Sequence, residues 1–440
     1  MPKRFFRKNI FVFFTLLFLG LGLTISSVSA HTGSHDITFV YTGNIDGELE
    51  PCGCSEGGDK GGIKRRVNAI DKLRKEDPNL YLVSAGGLLV SEIPQDKLKS
   101  EYILKGLKSI NYDAIGVQWR DLAYGEKFLN ASALPFVMTN NADGTFFGKS
   151  VINNNHAKLA FFSWLDPARS PQKEMGGTIV TKDKSKLADE LKKAKDRNQL
   201  TILASTLTLK QAQKQFPLEF VDLLIIKAKY EHYGEPQKIN NTLVLQPGSR
   251  GMRMGKLNLT VTKTGSMTKW QHEIIALPPE TGDAPRMEEW YAEYNAKVKA
   301  DYEKRVEIRK ALETGVSPFI GETACKTCHK KQHDIWFNSR HAEAFYSLQD
   351  VNKAFDPNCI GCHTVGFEKQ GGFIDPAITE KLMHVQCESC HGEARKHVES
   401  SGKIAVGNKE WSSEKMCGQC HVQKHSPDFD FKKYWPKIAH

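Results

Sequence analysis

The last quarter of the chain contains the pattern Cys-x-x-Cys-His four times: Cys325-Lys-Thr-Cys328-His329, Cys359-Ile-Gly-Cys362-His363, Cys387-Glu-Ser-Cys390-His391 and Cys417-Gly-Gln-Cys420-His421. This is the attachment signature of c-type haem: two thiols bond to the porphyrin and the adjacent imidazole ligates the iron. Pairs of Cys-x-x-Cys units could also form zinc sites. Zinc binding gives no reason for His to follow the second Cys of each motif. Because His is only 15 of 440 residues, four such repeats are not expected by chance. The pattern therefore predicts four covalent c-type haems.

The segments between successive motifs are short, covering residues 330–358, 364–386 and 392–416. Segments of this length cannot build a sizeable apolar core, so the porphyrins are expected to serve as the core. We therefore predict a mainly helical or irregular multihaem cytochrome c domain over residues 319–440. Its haems would lie close together, as electron transfer requires.

The same region holds ten of the 15 histidines, and four of these follow a motif cysteine. The motif histidines, predicted as the proximal iron ligands, are His329, His363, His391 and His421. The other six are His333, His341, His384, His397, His425 and His440. A second His ligand closes an iron to substrate and suits a carrier, whereas an open position suits catalysis.

This region resembles the tetrahaem cytochrome c-554 family. Ile335-Trp336-x-x-Ser339-x-His341-Ala342 is similar to the family's first-haem module. The segment from Cys387 through His397 is similar to a later module, and the segment from Ser426-Pro427 through His440 is similar to the C-terminal module. The resemblance implies distal iron ligands at His341, His384, His397 and His440. His333 and His425 are weaker candidates because each follows its own motif His by only four residues. Which distal His serves which haem is left open.

Residues 31–280 alternate short apolar runs with helix-compatible segments, which predicts a layered α/β domain. Predicted strands cover residues 37–42, 80–84, 114–117, 135–138, 158–163, 201–204, 221–226, 242–246, 256–263 and 270–276. Predicted helices cover residues 63–75, 96–109, 184–196 and 209–215. A helical connector follows over residues 281–318, with an apolar residue every fourth position from Trp290 to Val306.

The α/β domain resembles calcineurin-like metallophosphoesterases of the 5′-nucleotidase branch, from its opening Thr38-Phe-Val-Tyr-Thr-Gly-Asn44 to Gly255-Lys-Leu-Asn-Leu-Thr. That family binds two metal ions through Asp, Asn and His residues. The corresponding positions here read Asn44-Ile-Asp46, Gly86-Gly87, Gly116-Val-Gln118-Trp119-Arg120 and Ser205-Thr206, with no His pair in residues 227–231. A dinuclear centre needs converging oxygen and imidazole ligands. We therefore expect the fold to be kept and hydrolysis to be lost.

Cys52 and Cys54 lie in a Gly-rich loop after the first strand. Two thiolates on such a loop would suit a redox or soft-metal site. The alternatives are a strained local disulfide or an incidental pair.

The N-terminus has Lys3, Arg4, Arg7 and Lys8 before an apolar run, and Val28-Ser-Ala30 resembles a cleavage site, so residues 1–30 are predicted to be a signal peptide. The alternative is a retained anchor. Export to the periplasm or cell surface agrees with c-type haem. The absence of long basic runs argues against nucleic-acid binding.

These features predict an exported tetrahaem electron carrier with redox partner proteins and a non-hydrolytic N-terminal scaffold or docking domain. The alternative is an oxidoreductase acting on a small nitrogen or sulfur compound at an open haem or at the Cys52/Cys54 loop. Phosphate-ester hydrolysis is the third and least favoured function.

Overall fold

The computed structural model describes residues 34–51, 59–142, 144–154, 156–171, 180–227, 235–422 and 425–440. The predicted signal peptide, the Cys52/Cys54 pair and residues 228–231 lie outside the described residues. None of the helices in the described part has the length and hydropathy that crossing a bilayer requires.

Twelve strands in the described residues form two six-stranded sheets. They are β1 (Ser34–Thr42), β2 (Tyr81–Ser84), β3 (Ala114–Gly116), β4 (Phe136–Val137), β5 (Ser150–Asn153), β6 (Lys158–Trp164), β7 (Leu200–Ser205), β8 (Leu223–Ile226), β9 (Gln237–Ile239), β10 (Thr242–Leu245), β11 (Arg253–Thr262) and β12 (Met267–Ala276). The first sheet has the order β12-β11-β1-β2-β3-β4 and the second β5-β6-β7-β8-β10-β9. The central pairs are parallel, as crossover connections require, and the β11–β12 hairpin closes one edge of the first sheet.

Helices cover the outer faces of both sheets. Those of the N-terminal domain are α1 (Ile63–Glu76), α2 (Asp96–Lys108), α3 (Glu126–Asn130), α4 (Ser185–Asp196) and α5 (Leu209–Gln215). Strand β1 illustrates the layering: Phe39 and Tyr41 belong to the core between the sheets, whereas Val40 belongs to the core under α1 and α2. Because successive side chains alternate between the two faces and both faces are covered, the second half of the strand is buried and mostly apolar.

The long helix α6 (Glu288–Leu312) joins the two halves of the molecule. Its apolar stripe divides between two cores: Tyr294 and Val298 belong to the core of the first sheet, whereas Tyr302 belongs to a separate C-terminal core. Tyr302 also donates a hydrogen bond to the Ile374 carbonyl at 3.1 Å. The stripe thus packs against a neighbouring domain at each of its ends.

The C-terminal region consists of short helices and irregular segments. Its helices are α7 (Glu322–Lys326), α8 (Lys330–Phe337), α9 (Ala344–Asp350), α10 (Pro357–His363), α11 (Pro376–Thr379), α12 (Cys387–His391), α13 (Arg395–Glu399), α14 (Ser413–Cys417) and α15 (Phe431–Tyr434). The core here is small and is centred on Phe319, Phe345 and Phe373. A protein core this small agrees with the expectation that the porphyrins complete it.

The layered fold class predicted from the sequence is confirmed. Each of the ten predicted strands and four predicted helices of the N-terminal domain overlaps an observed element. Strands β5 and β9 were not predicted. Both are short, paired antiparallel to a neighbour at a sheet edge, and largely exposed, so they lack the apolar run that marks the central strands.

Candidate haem site

Each Cys-x-x-Cys-His motif lies on a helical turn or at the end of one. The second and third motifs lie within α10 and α12, and the first and fourth begin in the last turns of α7 and α14. The His329 amide donates to the Cys325 carbonyl at 2.9 Å, and the His421 amide to Cys417 at 3.0 Å. Because residues three and four apart share a helix face, this geometry places both thiols and the imidazole on one side of the turn.

Local hydrogen bonds fix the third motif against the first. Gln386 and Ser389 form a reciprocal cap at the start of α12. The buried Glu388 carboxylate accepts hydrogen bonds from the amides of Ile320, Gly321 and Ala394 at 2.8 to 2.9 Å. These contacts hold the chain just before α7 against α12, so that the first and third motifs are adjacent.

The thiols of the four motifs approach one another in a definite order. The contact between Cys325 and Cys387 raises the pKa of the first thiol and lowers that of the second. The contact with Cys420 lowers the pKa of Cys362 to about 7. Helices α12 and α14 are also in contact. The motifs therefore lie in the spatial order first, third, fourth, second.

Three motif histidines lie opposite three histidines from outside the motifs. The ring centroids of His329 and His397 are 6.2 Å apart. Those of His421 and His341 are also 6.2 Å apart, and those of His391 and His440 are 5.8 Å apart. Two imidazoles that bind one metal ion from opposite sides, each with a nitrogen about 2.0 Å from the metal, have centroids about 6 Å apart. The three pairs match that separation.

Hydrogen bonds at Nδ1 are found for three of these six rings and for His363, and they leave Nε2 available. Nδ1 of His397 donates to the Ile404 carbonyl at 2.7 Å, and Nδ1 of His440 to Ile438 at 2.9 Å. Nδ1 of His363 donates to the Ala344 carbonyl at 2.5 Å, and Nδ1 of His421 lies 3.2 Å from the Ser426 hydroxyl. A proton fixed on Nδ1 leaves the Nε2 lone pair for a metal, which is the usual arrangement around ligating histidines.

Burial favours the neutral imidazoles that metal binding requires. It lowers the pKa of His341, and the nearby His421 and His363 lower it further. It also lowers the pKa of His391, with His440 and His329 adding to the effect, and that of His421. Together with the ring separations and the free Nε2 atoms, these shifts show that the residues present fit bis-histidine c-type haem.

His384, the fourth candidate distal ligand, is placed differently. Its Nδ1 accepts a hydrogen bond from the Phe345 amide at 3.2 Å, and its ring packs edge-on against Tyr346 at 4.6 Å. A neutral imidazole that accepts at Nδ1 carries its proton on Nε2, which then cannot ligate a metal. No ring pair in the described part of the chain joins His363 to a second histidine.

The two weaker candidates lie near motif residues. His333 is buried with its Nε2 2.6 Å from the Glu322 carboxylate. Burial lowers the pKa of His363, the hydrogen bond to the Ala344 carbonyl raises it, and His425 lowers it further, so His425 lies near the second motif. His425 follows His421 of the fourth motif by four residues, so sequence spacing gave no signal that it lies near the second motif.

The positions that would hold two metal ions in the N-terminal domain are closed by hydrogen bonds. Asn44 donates to the Gly248 carbonyl at 2.7 Å, and its oxygen accepts from the Gln118 amide at 2.9 Å. A β-carbon at Gly87 would lie 2.9 Å from both side chains, so only glycine fits there. Amide groups linked to one another in this way have no free oxygen pointing at a metal.

The carboxylates of this site are also engaged. Asp46 forms an ion pair with Arg120 and accepts from the Arg250 amide at 3.0 Å. The buried Asp121 accepts from the amides of Gly87, Leu88 and Gln118 at 2.6 to 2.9 Å. Burial and the neighbouring Arg120 lower the pKa of Lys227, which places a second cation at the site.

No cluster of three or more His, Cys, Asp or Glu side chains suited to a metal ion is found among the described residues. The residues at the emptied site therefore do not fit a dinuclear metal centre.

The C-terminal and the N-terminal regions are similar to different known proteins. Residues 324–392 match the family model described as cytochrome c554 and c-prime. Cytochrome c-554 of Nitrosomonas europaea is 31% identical over 137 residues, an alignment that covers 24% of this chain and 58% of that protein. The resemblance of the C-terminal region to this family is confirmed.

The N-terminal fold is that of the 5′-nucleotidases. A 5′-nucleotidase precursor of Thermus thermophilus superimposes with a TM-score of 0.53 at 17% identity, covering 60% of this chain and 59% of that one. The sulfate thiohydrolase SoxB of the same organism gives 0.52 at 14% identity, covering 60% and 61%. The chain thus spans less than two thirds of each of these relatives, and at such identities the likeness concerns the fold alone.

Proposed function

We propose that this protein is an exported tetrahaem electron carrier whose N-terminal domain is a non-hydrolytic scaffold or docking module. The observation that carries the proposal is the set of three histidine pairs, because a closed pair of imidazoles is what an iron that only exchanges electrons requires. When attached, c-type haem supplies one-electron iron chemistry that no amino-acid side chain of the chain offers.

In this proposal the eight motif cysteines hold the porphyrins, and the four motif histidines bind the irons from the proximal side. His397, His440 and His341 occupy the distal positions opposite His329, His391 and His421. The carbonyls of Ile404 and Ile438 orient the first two of these distal rings through Nδ1. Burial of the rings would keep the imidazoles neutral, as binding to iron requires.

The spatial order of the motifs supports a continuous path for electrons. Thiol contacts link the first motif to the third and the second motif to the fourth, and α12 contacts α14. Groups anchored on neighbouring turns lie close to one another, so electrons can enter at either end of the series. Redox partner proteins would then dock at the first or the second motif.

The proposed organisation has a signal peptide in residues 1–30, a 5′-nucleotidase-like domain in residues 31–280, a connector in residues 281–318 and the haem domain in residues 319–440. Export to the periplasm or cell surface would bring the chain to the compartment in which c-type haem is attached. The separate packing of the two ends of α6 supports the boundaries on either side of the connector.

Haem quantification by pyridine haemochrome on the full chain tests this proposal. We expect four haems per chain in the exported protein. Replacing Cys387 and Cys390 by Ser should reduce the number to three. The matched control is the Cys52→Ser/Cys54→Ser variant, which should keep four because those cysteines are not followed by His. Fewer than four haems in the unsubstituted chain would contradict the proposal.

One observation favours a second candidate, an oxidoreductase acting on a small nitrogen or sulfur compound. His384 accepts the Phe345 amide at Nδ1, which places the proton of its neutral ring on Nε2, and it packs against Tyr346 rather than against a motif histidine. A metal or redox role for Cys52 and Cys54 belongs to the same candidate. CO titration of the reduced protein distinguishes the two functions: one CO per chain supports the oxidoreductase, and none supports a pure carrier.

A further inference from the structure

The segment immediately before the second haem motif, residues 353–356, is held by the N-terminal domain and α6. Lys353 Nζ lies 2.8 Å from the Glu50 carboxylate and 2.8 Å from the Asn295 side-chain oxygen. The hydroxyl of Tyr291 donates to the other oxygen of Glu50. Glu50 follows Asp46 by four residues, so this ion pair joins the segment after β1 to the segment before the second motif.

A second contact lies three residues further along the segment. Gln95, just before α2, donates to the Asp356 carboxylate at 3.3 Å. The same Asp356 oxygen accepts from the Asn358 amide at 3.0 Å and so caps α10, which carries the second motif. Between the two polar contacts, Phe355 packs against both the N-terminal core and the C-terminal core. Three of the four residues of the segment therefore contact the N-terminal domain.

The ion pair is largely withdrawn from water. The side chains of Lys353 and Glu50 are 12% and 26% exposed, and the rings of Tyr291 and Tyr294 lie 5.2 and 5.8 Å from the ammonium group. Burial lowers the pKa of Lys353, but Glu50, Tyr291 and Asp356 together more than offset this effect, so the pKa is raised. Removing either partner would therefore leave an uncompensated charge in a poorly hydrated place.

These charges lie within electrostatic reach of the motif itself. Burial raises the pKa of the Cys359 thiol, and Asp356, Lys353 and Glu50 each act on it in the direction of their charge. Cys359 is one of the two proposed attachment points of the second porphyrin. A charge left unpaired at residue 50 or 353 would therefore act on whatever is bound at this motif.

We infer that the N-terminal domain positions the second haem motif through the Glu50–Lys353 ion pair and the Gln95–Asp356 hydrogen bond, with Glu50 as the positioning residue. The inference rests on the proposed attachment of a haem at this motif. It assigns the nucleotidase-like domain a physical role: a residue beside its emptied metal site helps to set the reduction potential at one specific motif.

The test is a spectroelectrochemical titration of the four haems in the full holoprotein. Glu50→Gln should raise the potential of one haem because it leaves the ammonium group unpaired. Lys353→Met should lower the potential of the same haem because it leaves the carboxylate unpaired. The double variant Glu50→Gln/Lys353→Met should return that potential toward the original value. The matched control is Glu190→Gln on α4, which also removes a lysine-bonded carboxylate and should change no potential.

Haem content is measured first, so that the two claims can fail separately. A chain without a haem at the second motif contradicts the proposed function. A chain with four haems whose potentials are unchanged in both single variants overturns the positioning role. If a single variant does not fold, rescue by the double variant supports the ion pair. If the double variant also fails to fold, Gln95→Ala decides: a shift of one potential supports the role, and no shift overturns it.

Discussion

The imidazole rings of His329 and His397 lie 6.2 Å apart with their planes inclined by 24°. The first ring follows a motif cysteine, and the second lies on α13 after the third motif. Their meeting requires the chain to fold back between the first and third motifs, which the Glu388 hydrogen bonds to Ile320 and Gly321 achieve. The proposed haem ligands are therefore assembled by tertiary contacts rather than by any one motif.

Replacing His397 by Ala should open the iron at the first motif. Because the ring opposite His329 is removed, the reduced variant should bind one more CO per chain than the unsubstituted protein. CO difference spectra measure this number. His384→Ala is the matched control and should leave the CO number unchanged, since His384 accepts at Nδ1. An unchanged CO number in His397→Ala would contradict the pairing.

The N-terminal domain should not hydrolyse phosphate esters. Its ligand positions are occupied by the Asn44–Gln118 hydrogen bond and the Asp46–Arg120 ion pair, so no metal-bound hydroxide can form. Assays with 4-nitrophenyl phosphate and AMP, with added Mn²⁺, should give no turnover above buffer. Turnover that a chelator abolishes would show that the site still binds catalytic metal.

Acid should weaken the packing of α4 through Glu190. Hydrogen bonds from Lys149 and Lys193 lower the pKa of this carboxylate to about 2. Because the folded-state pKa lies below the unfolded value, the contribution is complete above about pH 4.5 and is lost as the pH falls toward 2. With a side chain 25% exposed, the contribution is about 0.5 to 1 kcal/mol after solvent screening.

Urea unfolding of Glu190→Gln at pH 7 and pH 3 measures this effect. The variant should be less stable than the unsubstituted chain at pH 7, with a smaller difference at pH 3. Asp196→Asn on the same helix is the control, because its ion pair with Lys192 is about 60% exposed and should contribute little. An equal loss at both pH values would contradict the assigned cause.

Gly255 should tolerate no side chain. A β-carbon there would lie 2.1 Å from the ring of Tyr41, which is buried between the two sheets. Gly255→Ala must therefore displace the ring, and we expect a loss of about 1 to 3 kcal/mol of stability in thermal unfolding. Gly148→Ala, with nothing within 4 Å of the added carbon, should change stability by less than about 0.5 kcal/mol. Equal stabilities would show that the sheets adjust freely.

Much of the fold could be predicted from the sequence because its signals are local. The central strands are apolar runs such as Leu223–Ile226, buried on both faces, and period and length identify them. Strand β9, with the sequence Gln-Lys-Ile, has no such run and forms only because Thr242–Leu245 offers it an edge. Tertiary pairing, not propensity, decides such elements.

The candidate haem site likewise has one part that could be predicted from the sequence and one part that could not. The four motifs are local patterns, so the proposed proximal ligands followed from the sequence. The pairing of His341 with His421 of the fourth motif did not, because it depends on how the turn before α9 meets a segment 80 residues further along the chain. The Phe345 amide that occupies Nδ1 of His384 is likewise a contact across 39 residues. No sequence pattern encodes such a contact.

The most direct test of the central claim is low-temperature EPR of the oxidised full chain, with its spins quantified against the haem content. We expect three low-spin, bis-histidine irons per chain. We also expect the loss of one of them in each of the variants His341→Ala, His397→Ala and His440→Ala. Fewer than three such irons in the unsubstituted chain, or spectra that none of the three substitutions changes, would contradict that claim.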